Sequence, residues 1–233
     1  MEKIAQIRKL SLLVFLIPFL GIHLCLLISI NYSLLEGTFF HVDQIGRSGF
    51  TIPYLDGSIS ISRASRTFPQ YLIFKLSMIV TGIFLILYWN LYNSLLCDYK
   101  NLDEHKLKFW IFGILSAICL ITHSILLGVT YDYQFYKLFR RIILLLFIIF
   151  EIIAQGILLY YLFQIKKDLI NLVNIKILYI KFFLVLLLIS VALIIIPILA
   201  LNEFAKLKHA VEWNYFMGII VFYLFTFLFW KKN

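Results

Sequence analysis

"IILLLFIIFEIIAQGILLYYLFQI", residues 142–165, decides the fold. One acid, Glu151, interrupts a run otherwise built of aliphatic and aromatic residues and two glutamines. A helix of this length rises about 36 Å at 1.5 Å per residue, and a hydrocarbon core is about 30 Å thick. The residues do not alternate as the strands of a membrane barrel do. Working outward, five further apolar runs cover 10–30, 72–96, 109–129, 180–201 and 211–230. The pattern predicts an all-α integral membrane protein, a bundle of six transmembrane helices in one domain over 1–233. Composition agrees: 63% of the 233 residues are hydrophobic and 14% charged, against about half and a quarter in soluble domains.

The first run is longer than a signal-peptide core, and no small-x-small cleavage site follows it, so it is expected to remain as helix 1. Six spans put both termini on one face. Twelve basic residues, Lys181 among them, fall on that face and nine on the other. The positive-inside rule therefore places the termini in the cytoplasm, in an endomembrane such as the ER or Golgi of a eukaryote or the inner membrane of a bacterium. The net charge of +9 is scattered over helix ends, where lysines and arginines anchor spans. Nucleic-acid recognition needs a dense basic stripe and is excluded. Cys25, Cys97 and Cys119 are too few and too badly placed for a disulfide framework.

One connection is long. Residues 31–71 carry Gly37, Gly46, Gly49, Gly57, Pro53 and Pro69, a turn-rich set, with Phe39, Phe40, Phe50, Ile52, Tyr54 and Phe68 among them. A flexible linker has no need of those aromatics, so this first non-cytoplasmic loop is expected to be ordered and to cap the bundle. The connector 166–181 is amphipathic through Leu169, Leu172, Val173 and Leu178, and is expected on the cytoplasmic membrane surface.

Ionisable groups at membrane depth are costly and are functional candidates by default. His23 lies about 12 Å and His123 about 9 Å from the non-cytoplasmic ends of their helices. Glu151 is deeper, with Gln155 one turn on and on the same side. His209 and Glu212 stand at the start of the last helix. All fall in the half of the membrane where the long loop opens, which suggests a polar pocket in the outer leaflet beneath a cap. The competing reading is that these groups are interhelical hydrogen-bond partners. No HxxxH or HExxH spacing supports a metal site, and no cofactor is implied. Ser58, Ser60, Ser62 and Ser65 crowd the loop without a GxSxG elbow. A small-solute transporter would want paired broken helices, and only Pro18 and Pro197 interrupt spans. No filter motif marks a channel.

The loop ends in "SISRASRTFPQYLIFK", and "HAVEWNYF", residues 209–216, enters the last helix. Pro53 and Tyr54, then Ser60, Ile61, Ser62 and Ala64, then Pro69, Gln70, Ile73 and Phe74 resemble the first non-cytoplasmic loop of the Frag/DRAM/Sfk family of six-helix membrane proteins. The nearest branch is that of the post-GPI-attachment factor 2 proteins. Glu212 and Trp213 match the family's acidic-aromatic entry into its last helix. At the start of the fourth helix, where some members carry histidine, this chain has Phe139. The resemblance implies lipid handling, such as remodelling of a GPI anchor or another lipid, although a shared fold selects no chemistry. On that reading His123 and Glu151 are the catalytic candidates of an acyltransferase or hydrolase. Ser60, Ser62, Arg63 and Arg66 would meet a phospholipid, lysolipid or lipid-anchor head group, arginine suiting phosphate by its two-pronged fork. Gln155, His23, His209, Glu212 and Trp213 would complete the substrate site. The alternative is a non-enzymatic lipid-binding or membrane-organising protein, an accessory to a membrane protein partner.

Overall fold

The computed structural model describes residues 2–40, 49–100, 108–127, 134–199 and 204–231. Helix α1 (Glu2–Ile30) leads through a 3-10 turn, Tyr32–Leu35, to two short helices, α2 (Pro53–Asp56) and α3 (Ile61–Ala64). Then come α4 (Gln70–Lys100), α5 (Phe109–Leu126), α6 (Gln134–Gln164), α7 (Ile175–Leu199) and α8 (Ala205–Phe229). Six of these, α1 and α4 to α8, are long and apolar enough to cross a membrane. No strand occurs among the described residues beyond one isolated bridge.

The helices outrun the apolar blocks that predict them. Helix α6 begins at Gln134 and α8 at Ala205, because a helix continues through polar residues for as long as its backbone bonds close on one another. His209 and Glu212 thus lie inside the first two turns of α8. Each long helix packs on its neighbour in the chain, and α8 returns to α1, so the six form a closed ring. Short α2 and α3 sit at the end of the ring away from the termini, against α8 and α1.

Aromatics fill the middle. Tyr88, Trp89 and Tyr92 of α4 are fully buried with Phe109, Tyr223 and Trp230, and Trp230 donates its indole N–H to the Tyr92 hydroxyl at 2.9 Å. Between apolar helices in lipid there is no water to exclude, so close approach at small residues matters more than greasiness. Gly113 of α5 is such a place. A Cβ there would stand 2.3 Å from the Trp89 ring.

The connector after α6 departs from expectation. Leu169, Val173 and Leu178 are buried in the bundle. Asn174 N–H donates to Phe229 O at 2.8 Å and Lys231 N–H to Leu172 O at 2.9 Å, and Val173 bridges Trp230. The segment is folded under the end of α8, with its apolar residues facing protein; α8's last carbonyls need partners and the connector's N–H groups supply one.

Gly113→Ala should lower stability by about 1–3 kcal/mol, the range for overpacking, because the Trp89 ring has no free space to move into. Thermal unfolding of the detergent-solubilised protein checks this, and an unchanged midpoint would mean that α4 and α5 are not in this close contact.

A capped end and a polar interior

The cap is built by local rules. Pro53 starts α2 at a position where its missing N–H costs nothing. Asp56 ends it by turning back: its carboxylate accepts from Ser58 N–H at 2.8 Å, from Ile52 N–H at 2.9 Å and from the Thr51 hydroxyl. Those bonds, the Ser58 N–H first, pull its pKa from 3.8 down to about 2. Gly57 follows in the left-handed region at φ 57°. Its α-carbon faces the backbone of Lys206, whose carbonyl oxygen would lie 1.8 Å from an added Cβ. Ser60 then caps α3, its hydroxyl accepting from Arg63 N–H at 3.2 Å and lying 3.2 Å from that of Ser62.

Four contacts from the first turns of α8 hold this segment. His209 Nδ1 donates to Gly57 O at 2.9 Å and Trp213 Nε1 to Ile59 O at 2.9 Å. Asn214 Nδ2 donates to Tyr54 O at 2.8 Å, and Glu212 Oε1 accepts from Ser62 N–H at 3.4 Å. From α1, His23 places Nδ1 2.6 Å from Phe19 O and Nε2 2.8 Å from the Tyr54 hydroxyl. A carbonyl can only accept, so Nδ1 carries a proton, and in the neutral imidazole Tyr54 donates to Nε2. Burial pushes the Tyr54 phenol up to about 12, which keeps that donor in place. The rings of His23, Tyr54 and Trp213 lie within 5.3–6.0 Å of one another and fill the space under the cap. His23, Ser60, Ser62, His209, Glu212 and Trp213 are therefore brought together, as a latch. Arg63 and Arg66 are exposed on the cap.

The deeper candidates form a second group. Glu151 is fully buried and accepts three hydrogen bonds: from Ser116 Oγ at 2.5 Å, from Gln155 Nε2 at 3.0 Å and from the Tyr223 hydroxyl. Gln155 also reaches Ile219 O at 3.5 Å. Beside Glu151 is a void bounded by Val14, Pro18, Thr81, Phe147, Phe216 and Tyr223, with room for about one water. It is far too small for a lipid head group. His123 is not part of this group. Its Nδ1 lies 3.3 Å from Arg140 O, which on α6 is about 16 Å before Glu151. The two residues expected as a catalytic pair are separated.

The residue that sequence reasoning misplaced is Lys181. Counted there as a surface anchor, it is completely buried. Its Nζ donates to Thr226 Oγ1 at 2.9 Å and stands 4.0 Å from the centre of the Phe222 ring and 5.4 Å from that of Phe229. A sequence signal existed. Leu178, Lys181, Val185 and Leu188 are spaced three and four apart and are the buried residues described on α7, one stripe of a helix. Among the described residues no three of His, Cys, Asp or Glu gather as metal ligands.

No family model matches this chain, and no curated protein or solved structure matches it.

Gly57→Ala should release the cap, since the new methyl meets Lys206 backbone and the left-handed φ disfavours any side chain. Faster amide exchange over 52–66, with the long helices unchanged, is the expected result. Acid should do the same through Asp56. Its folded pKa lies below its unfolded one, so the stability it contributes is complete above about 4 and is lost as pH falls from there to about 2. Exchange protection of Ile52 and Ser58 should stay level from neutral pH to about 4 and drop below it.

Proposed function

We propose that this is a multi-pass membrane protein, with both termini in the cytoplasm, that binds a phospholipid or lipid-anchor head group at the non-cytoplasmic surface of its cap. One observation carries the reading: the latch holds α3 on α8 and α1 while Arg63 on that helix and Arg66, two residues past its end, are exposed. Two guanidinium groups on a fixed turn suit a phosphate, which each can grip through two oxygens. The surroundings fit a lipid interface. Phe39, Phe50 and Leu55 on the same loop are 88%, 86% and 82% exposed. Phe68 and Tyr71 meet at the head of α4 with ring centres 6.0 Å apart and planes tilted by 50°, and the Lys75 ammonium is 5.3 Å from the Tyr71 ring, the kind of aromatic and cationic belt found at head-group level.

Binding is favoured over turnover. The hydrogen bonds of His23, His123 and His209 go to Phe19 O, Tyr54, Arg140 O and Gly57 O, so none of these histidines faces a serine as base to nucleophile. The resemblance to the Frag/DRAM/Sfk family points in the same direction at the level of lipid handling, with remodelling carried out by a partner that this chain serves.

Native mass spectrometry with lipid analysis of the purified protein, wild type against Arg63→Ala/Arg66→Ala, checks the reading. A phosphate-bearing lipid retained by wild type should fall about tenfold in the variant, as loss of charge-assisted hydrogen bonds implies. Identical, bulk-like lipid in both would remove the head-group role of the cap.

A further inference from the structure

Glu212 meets the cap with a charge that no neighbouring cation offsets. Its Oε1 accepts from Ser62 N–H at 3.4 Å, a long bond from a neutral donor. Among the described residues no lysine, arginine or histidine forms an ion pair with it; the ion pair found there joins Lys3 to Asp98, at the opposite end of the bundle. The other carboxylate of the cap is provided for, since Asp56 accepts from Ser58 N–H, Ile52 N–H and the Thr51 hydroxyl. Glu212 also keeps some exposure. A carboxylate so thinly supplied beside the membrane points to a partner that arrives from outside the bundle.

What surrounds it narrows the chemistry. Ser62 carries a hydroxyl 3.2 Å from that of Ser60, and a hydroxyl accepts as well as donates. Arg63 follows Ser62 directly and is exposed, on a turn closed by the bonds of Arg63 N–H to Ser60 Oγ and Ala64 N–H to Ser60 O. Acceptors for a cation and a guanidinium for an anion thus stand at successive residues. A quaternary ammonium is held by open aromatic faces. The rings nearest Glu212 are taken up by one another: Trp213 is completely buried and packs on Tyr54 and His23. A primary ammonium needs acceptors for its three N–H groups, which is what a carboxylate and serine hydroxyls supply.

Resting on the reading that the cap binds a phospholipid, we propose that the head group it takes is phosphoethanolamine, with Arg63 and Arg66 on the phosphate and Glu212, beside the Ser62 hydroxyl, on the primary ammonium. The two charges of that head group are two carbons apart, and the cap presents their complements across the contact of α3 with α8. Phosphatidylglycerol offers the phosphate without the ammonium. Phosphatidylcholine carries the same net charge as phosphatidylethanolamine, but its ammonium has no N–H to donate. Glu212 therefore discriminates by hydrogen bonding, and against phosphatidylglycerol by an unpaired carboxylate as well.

Native mass spectrometry of the full chain in detergent, titrated separately with phosphatidylethanolamine, phosphatidylcholine and phosphatidylglycerol of the same acyl chains, tests this. Wild type should bind phosphatidylethanolamine about tenfold more tightly than phosphatidylcholine, the worth of a charge-assisted hydrogen bond. Glu212→Gln keeps an acceptor for Ser62 N–H; it should bring phosphatidylethanolamine down to the level of phosphatidylcholine and leave phosphatidylglycerol no weaker. Arg63→Ala/Arg66→Ala should weaken all three. Equal binding of phosphatidylethanolamine and phosphatidylcholine by wild type would overturn the proposal, and that comparison needs no variant to fold. A Glu212→Gln protein that keeps the wild-type preference, beside an arginine variant that weakens all three lipids, would overturn the ammonium assignment and spare the cap. An arginine variant that binds every lipid as wild type does would remove the cap reading and the assignment with it.

Discussion

A polar group in hydrocarbon must find its partner inside the protein, and among the described residues many of the partners that join one element to another are on α8. Along its 25 residues it supplies His209, Glu212, Trp213 and Asn214 to the cap, the Ile219 carbonyl to Gln155, and the Tyr223 hydroxyl to Glu151. It supplies Thr226 to Lys181 and Tyr88. It also donates its Tyr215 hydroxyl to Leu188 O of α7 at 3.2 Å. Five of the other elements are thus positioned by hydrogen bonds to one helix. Since lipid tails are as apolar as leucine side chains, these bonds and the tight glycine contacts set the arrangement of the ring.

The six spans were legible because hydropathy in blocks of about 20 residues has few other physical explanations. Glu151 with Gln155 was legible too, since an i,i+4 pair must share a side of a helix. The joint action of His123 with Glu151 was not. Counting residues from the helix ends puts both in one half of a span, but the hydrogen bond of His123 to Arg140 O, eleven residues before Glu151 on α6, leaves them turns apart. The cap residues were legible as a group and illegible as a latch. Their partners are mostly the carbonyls of Tyr54, Gly57 and Ile59 and the N–H of Ser62, and every residue has those groups, so no pattern of side chains announces them.

Lys181 shows a different limit. In a soluble helix the stripe Leu178, Lys181, Val185, Leu188 would stand out against a polar face, and a lysine in it would be noticed. Helix α7 is apolar all round, with Phe183, Leu187, Leu193 and Ile194 at least half exposed, so the buried stripe has no contrast. A lysine near the end of such a helix reads as an anchor, and the two lysines of α7, Lys176 and Lys181, are one turn and a little more apart. Only the rotation of the helix tells them apart, leaving one exposed and the other completely buried.

That rotation is itself what Lys181 can specify. Hydrophobicity gives α7 no preference for which side it turns to α8, because lipid receives any of its faces equally well. The Leu188 side chain against Gly218 and the Tyr215 bond to Leu188 O fix the helix at one level. Lys181, two turns away, fixes it at another through Thr226. Turning α7 by one residue would carry the ammonium away from its hydroxyl and its aromatic faces into hydrocarbon, at a cost of at least about 2.5–3.5 kcal/mol on insertion scales. A leucine in its place would pack as well and specify nothing, so the lysine sets the register of the most weakly buried helix in the ring.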